Sequence, residues 1–92
     1  MEPAWKRDLE DLVASVKSRS EAAALLRALL TPAEYKDIAQ RWQIVKHLLE
    51  GNPQRLVRDK VQVSIAKITR GSREIQYGNG AFKKFYHRLF NQ

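Results

Sequence analysis

The sequence predicts an all-α domain of about six helices that contains a helix-turn-helix. Three observations carry this expectation. Apolar residues recur at spacings of three and four along most of the 92 residues, and no convincing stretch alternates as a strand would. Capping residues, prolines and glycines punctuate that pattern at helix-length intervals. The net charge of +7 is also confined to the C-terminal part, where two short helices are separated by a brief turn.

The elements follow in order. Trp5, Leu9, Leu12, Val13 and Val16 form one stripe, with Pro3 suited to a first turn. This first helix is expected to end near Ser18–Ser20, and Ser20 to cap a second helix over Glu21–Leu30. That second segment is apolar around most of its circumference, which calls for burial on several sides, best supplied by a partner subunit. Thr31-Pro32-Ala33-Glu34 is a capping box with proline in the first helical position, and the helix it opens runs to Glu50, where Gly51 stops it. Asn52-Pro53 restarts the chain into a short helix over Gln54–Lys60. Val61-Gln62-Val63 is a turn, and Ser64 caps a helix to about Ile75. Gly78-Asn79-Gly80 is a second turn before a last amphipathic helix, Ala81–Phe90.

Composition narrows the function. A chain this short has a marginal core as a monomer, and oligomerisation is a common remedy. It has no cysteine, which excludes disulfides and cysteine-based zinc sites. No apolar run approaches the ~18 residues of a membrane span, and the N-terminus lacks a basic-then-apolar signal pattern. These features predict a cytoplasmic protein without a membrane partner. Residues 1–54 carry eight basic and eight acidic residues, whereas residues 55–92 carry nine basic residues against Asp59 and Glu74. Such a one-sided charge is the footprint of polyanion binding. Ser64, Thr69 and Ser72 lack a plausible base partner, and His47 and His87 lack ligand-like spacing, so neither an enzyme nor a metal site is expected. Trp5 and Trp42 read as core. The helical spacing of Phe82, Phe85, Tyr86 and Phe90 reads as packing rather than base stacking.

Four segments together resemble the tryptophan repressor family: Leu30-Thr31-Pro32-Ala33-Glu34; Arg41-Trp42-Gln43-Ile44-Val45 with Leu48-Leu49-Glu50-Gly51; Gln54-Arg55; and the highly specific run Ser64-Ile65-Ala66-Lys67-Ile68-Thr69-Arg70-Gly71-Ser72. The resemblance covers about residues 28–75. It implies an intertwined, all-helical homodimer that offers a helix-turn-helix to each half of a palindromic operator; docking in successive major grooves and water-mediated readout are described properties of this family. It also implies L-tryptophan as corepressor and repression of genes for tryptophan synthesis or uptake. The expected division is residues 1–51 as dimerisation core, 54–75 as helix-turn-helix and 81–90 as a packing helix.

The same resemblance implies residue roles. Arg41 and Arg70 match the pair that sandwiches the indole ring, a sensible use of guanidinium planes. Leu30 and Thr31 match positions whose backbone receives the ligand amino group, Val45 the pocket floor, and Gly71 a glycine that leaves room for the ring. Arg55 matches a guanine-reading arginine and Arg58 a phosphate-contacting lysine. Ile65, Ala66 and Thr69 match the base-facing edge, and Ser64, Lys67, Ser72 and Arg73 complete the DNA-binding set. The chain departs from the family pattern at Lys67 (threonine in the pattern), Ala28 (leucine), Glu74 (serine) and Gln62 (the turn glycine). Other readings stay open beside these. Arg41 can pair with Asp37, Arg70 can serve phosphate alone, and Gly71 can mark an early helix end. Lys67 can reach a phosphate or the pocket, and the protein can answer to another ligand or to none.

Overall fold

The computed structural model describes residues 2–90 and shows six helices and no strand among them: α1 (Pro3–Ala14), α2 (Arg19–Leu29), α3 (Pro32–Leu49), α4 (Gln54–Val61), α5 (Ile65–Tyr77) and α6 (Ala81–Phe90). None is long and apolar enough to cross a membrane. The chain forms two compact units, one up to Tyr35 and one from Lys36 onward, so the division falls inside α3.

In the first unit, α1 stops at Ala14, earlier than the expected Ser18–Ser20. Ser15 ends it by donating its hydroxyl to the Leu12 carbonyl at 2.7 Å. The cap of α2 is Ser18, not Ser20. Ser18 Oγ accepts from the Glu21 amide at 3.1 Å, while Glu21 accepts in return from the Lys17 amide at 2.9 Å. Ser18 stands three residues before Glu21, so its hydroxyl reaches that amide, which Ser20 is too close to do, and the Glu21 carboxylate reaches back to the Lys17 amide. The box at the start of α3 is as expected: Thr31 N donates to Glu34 at 2.9 Å and Glu34 N to Thr31 Oγ1 at 3.2 Å. Trp5, Leu9, Leu12 and Val13 are all exposed, and neither α1 nor α2 has a buried residue.

In the second unit, α3 closes in a Schellman turn. Gly51, at φ +97°, donates to the Leu48 carbonyl and Asn52 to that of His47. The Asn52 side chain adds a second bond to His47 O at 3.1 Å, so it finishes α3 rather than capping α4. Pro53 holds the N-cap position of α4 without a side-chain bond. Ile44 of α3, Val57 of α4 and Ile68 of α5 make the buried core, walled by Leu48, Val61 and Val63. This core fastens α4 to α5 and both to α3. α6 adds Phe82 against Trp42, with ring centroids 6.3 Å apart, and Phe90 beneath the Lys46 ammonium at 5.3 Å.

The turn between α4 and α5 carries strain. Gln62 sits at φ 60°, ψ 51°, the left-handed conformation that disfavours any residue with a Cβ. Its amide still donates to Arg58 O at 2.8 Å, so the turn is well made despite the cost. Gln62→Gly should therefore stabilise the protein by about 1 kcal/mol and raise Tm by several degrees in a thermal melt. An unchanged or lower Tm would show that the turn is relaxed as it stands.

Candidate nucleic-acid interface and ligand cavity

α4, the turn and α5 form a helix-turn-helix. Ser64 Oγ caps α5 by accepting from the Lys67 amide at 3.3 Å. Ile68 and Gly71 are buried and Ser72 and Ile75 half-buried, which fixes the rotation of the helix. Ile65, Ala66, Thr69 and Arg73 consequently stand on the exposed side. Thr69 spends its hydroxyl proton on Ile65 O at 2.9 Å, so it presents a methyl group and acceptor lone pairs outward. Arg55 is exposed in the first turn of α4, and Arg58 is paired with Asp59 at 3.3 Å. That contact is solvent-exposed, so it is worth little and is readily exchanged for a phosphate.

The inner side of α5 meets α3 around a cavity of about 340 Å³ lined by Asp37, Gln40, Arg41, Ile44, Val45, Lys67, Arg70, Gly71, Glu74 and Phe82. Its size falls within the range of small-molecule sites, roughly 300–1,000 Å³. Two rows of one-turn spacing oppose each other: Asp37, Arg41 and Val45 on α3, and Lys67, Gly71 and Glu74 with Arg70 on α5. Arg41 and Arg70 are exposed and neither enters an ion pair among the described residues; the Asp37–Arg41 pairing is not formed. Arg70 also borders a groove on the outer side of α5 with Ala66, Thr69, Arg73 and Tyr77. Arg70 and Glu74 are the side chains shared by both faces.

Gly71 has a role the sequence did not disclose. A Cβ built there would lie 3.0 Å from Ile44 Cγ2 and 3.7 Å from Val45 Cγ2, so its absence lets α5 approach α3 closely. The early-end reading of Gly71 is overturned, because α5 continues to Tyr77.

The structure thus brings Arg41, Val45, Arg70 and Gly71 to one cavity and places Lys67 there too. Leu30 and Thr31 belong to the other unit, as the C-cap of α2 and the cap of α3. Asp37, Gln40, Ile44 and Phe82 were missed. Asp37 lies one turn before Arg41 and Gln40 one turn before Ile44, spacings that could have signalled them; nothing local to Phe82 does.

Known proteins resemble this chain along nearly its whole length. The family model described as Trp repressor protein matches residues 4–90. A Trp operon repressor homolog of Chlamydia trachomatis is 42% identical over 65 residues, covering 70% of this chain and 69% of its own. One from Vibrio parahaemolyticus is 35% identical over 89 residues, covering 96% and 85%. A crystal structure from Staphylococcus aureus, described as a candidate Trp repressor, superposes with a TM-score of 0.90 at 25% identity, over 99% of this chain and 91% of that one. The chain belongs to the Trp repressor family, whose members are DNA-binding regulators of transcription rather than enzymes.

Proposed function

We propose that this protein is a cytoplasmic, homodimeric repressor that binds a palindromic operator when it holds L-tryptophan, and so silences genes for tryptophan synthesis or uptake. The observation that carries the reading is the α3–α5 cavity. Its residues fit the ligand: an apolar floor from Ile44 and Val45, an aromatic wall from Phe82, and the guanidinium groups of Arg41 and Arg70, which form no ion pair among the described residues. When bound, the ligand supplies an indole face and a carboxylate for those groups. Arg41 is anchored on α3 and Arg70 on the reading helix, so gripping one molecule ties α5 to α3. The ligand then favours the DNA-competent orientation by its differential affinity for that state.

On the DNA side, Arg55 reaches a guanine edge. Ile65, Ala66 and Thr69 meet bases sparsely, and Arg58, Ser64, Lys67, Ser72 and Arg73 serve the backbone and its approach. For Leu30 and Thr31, the family resemblance supports a backbone role toward the ligand amino group. Residues 1–51 form the dimerisation core, 54–75 the reading head and 81–90 a packing helix. The exposed apolar row of α1 supports the dimer.

Calorimetry with L-tryptophan, followed by gel shifts with and without it, tests this reading. Saturable binding and a tighter complex in its presence are expected; no binding at millimolar ligand would sink the corepressor role. Lys67 favours a second reading, a same-fold regulator with less need of a ligand, because it places a fixed cation at the cavity. On that reading, Lys67→Thr weakens DNA binding of the ligand-free protein, and an unchanged affinity counts against it.

A further inference from the structure

The outer groove of α5 runs past the residues already assigned to DNA. Ala66, Thr69, Arg70, Arg73, Glu74 and Tyr77 line it, at spacings of three and four that keep them in one row. Tyr77 closes the row in the last position of α5 and is 79% exposed. Gly78 caps the helix in an extended conformation, and the chain beyond it leaves the ring uncovered. Neither the ring nor the hydroxyl has a partner among the described residues.

The length of the helix places that hydroxyl. In a helix-turn-helix the N-terminal residues of the second helix meet the base edges. At ~1.5 Å per residue, Tyr77 stands about 12 Å along the axis from Thr69 and about 16 Å from Ala66. The major groove is about 12 Å wide. A helix that sets Ala66 and Thr69 against bases therefore carries Tyr77 beyond them, to the sugar-phosphate wall. Arg70 and Arg73 give the groove two cations against the carboxylate of Glu74, so the row attracts a phosphate chain.

We propose that Tyr77 donates its phenol hydroxyl to a backbone phosphate at the edge of the major groove, one turn beyond the Arg73 guanidinium, and so anchors the trailing end of the reading helix. This rests on the DNA-binding reading and adds to it a contact of a different kind. A phenol is neutral, so it releases no counterion and leaves the salt dependence of binding unchanged, whereas an arginine contact sets part of that dependence.

The test is a salt series of fluorescence anisotropy titrations of the full chain with L-tryptophan present. A phosphate contact does not depend on base sequence, so a duplex of random sequence serves as the probe. Tyr77→Phe keeps the ring and removes only the donor; it should weaken binding about three- to tenfold with the salt slope unchanged. Arg73→Ala should weaken binding with a slope shallower by up to about one unit per subunit. Sedimentation should give Tyr77→Phe the mass of the wild type. Equal affinities of Tyr77→Phe and wild type overturn the role of Tyr77 and leave the DNA reading in place. So does a loss accompanied by a changed mass, which puts Tyr77 in a contact between chains. Failure of the wild type to bind duplex at any salt concentration overturns both.

Discussion

Arg70→Ala should cost this protein its ligand and part of its hold on DNA, whereas Arg41→Ala should cost it the ligand alone. Both guanidinium groups line the cavity, but only Arg70 also borders the outer groove of the reading helix beside Ala66, Thr69 and Arg73. A cation–π stack contributes ~0.5–2 kcal/mol and a hydrogen bond to a charged group ~1.5–3 kcal/mol. Both side chains are exposed, so solvent screening argues for the lower halves of these ranges. A loss of about 10- to 100-fold in L-tryptophan affinity is expected for either change. Without ligand, Arg41→Ala should bind DNA as the wild type does. Arg70→Ala should bind more weakly and show a salt dependence shallower by up to about one unit per subunit. Isothermal titration and salt-series gel shifts separate the two. Indistinguishable variants in both assays would refute the division of the α5 surface into an inner and an outer face.

Leu9→Asp should abolish the dimer and with it most of the stability. Trp5, Leu9, Leu12 and Val13 lie on one side of α1, and each is between 42% and 64% exposed. A twelve-residue helix with no buried side chain does not persist alone in water. Covering it yields ~1.5–3 kcal/mol for each large apolar side chain fully buried, and a two-fold dimer gains that twice. A carboxylate in the middle of the row forfeits the Leu9 contribution and adds a desolvation cost. Sedimentation should give the wild type twice the chain mass, and the variant a monomer or an unfolded chain. A monomeric wild type, or a dimeric variant of normal stability, would show that something other than α1 assembles the protein.

Much of the fold was legible because its signals are local. Thr31 with Glu34, Gly51 and Ser64 each act within one turn, and each makes the bond its position implies. Gln62 stood out only because it takes the place of the family's turn glycine, and it does adopt the left-handed backbone. The boundary between α1 and α2 was misread because two serines compete as cap and only Ser18 has an acid three residues on. α5 runs two residues past its expected end at Ile75. Gly71, separately open to reading as a stop, serves a contact with Ile44 that exists only once α3 and α5 are packed. The cavity divides likewise. Arg41, Arg70, Lys67 and Glu74 stand out through the family run and its departures. Asp37, Gln40 and Phe82 enter through the tertiary packing of α3, α5 and α6, and Phe82 is fixed there by its stacking on Trp42.

On the proposed function, one small molecule held between α3 and α5 decides whether a dimer recognises a specific duplex. Selection from a random-duplex pool, with and without L-tryptophan, tests it most directly. A palindromic sequence should be enriched in the presence of the ligand, and that enrichment should collapse in its absence or in Arg41→Ala. Equal enrichment with and without L-tryptophan, or retention of all sequences alike, would contradict it.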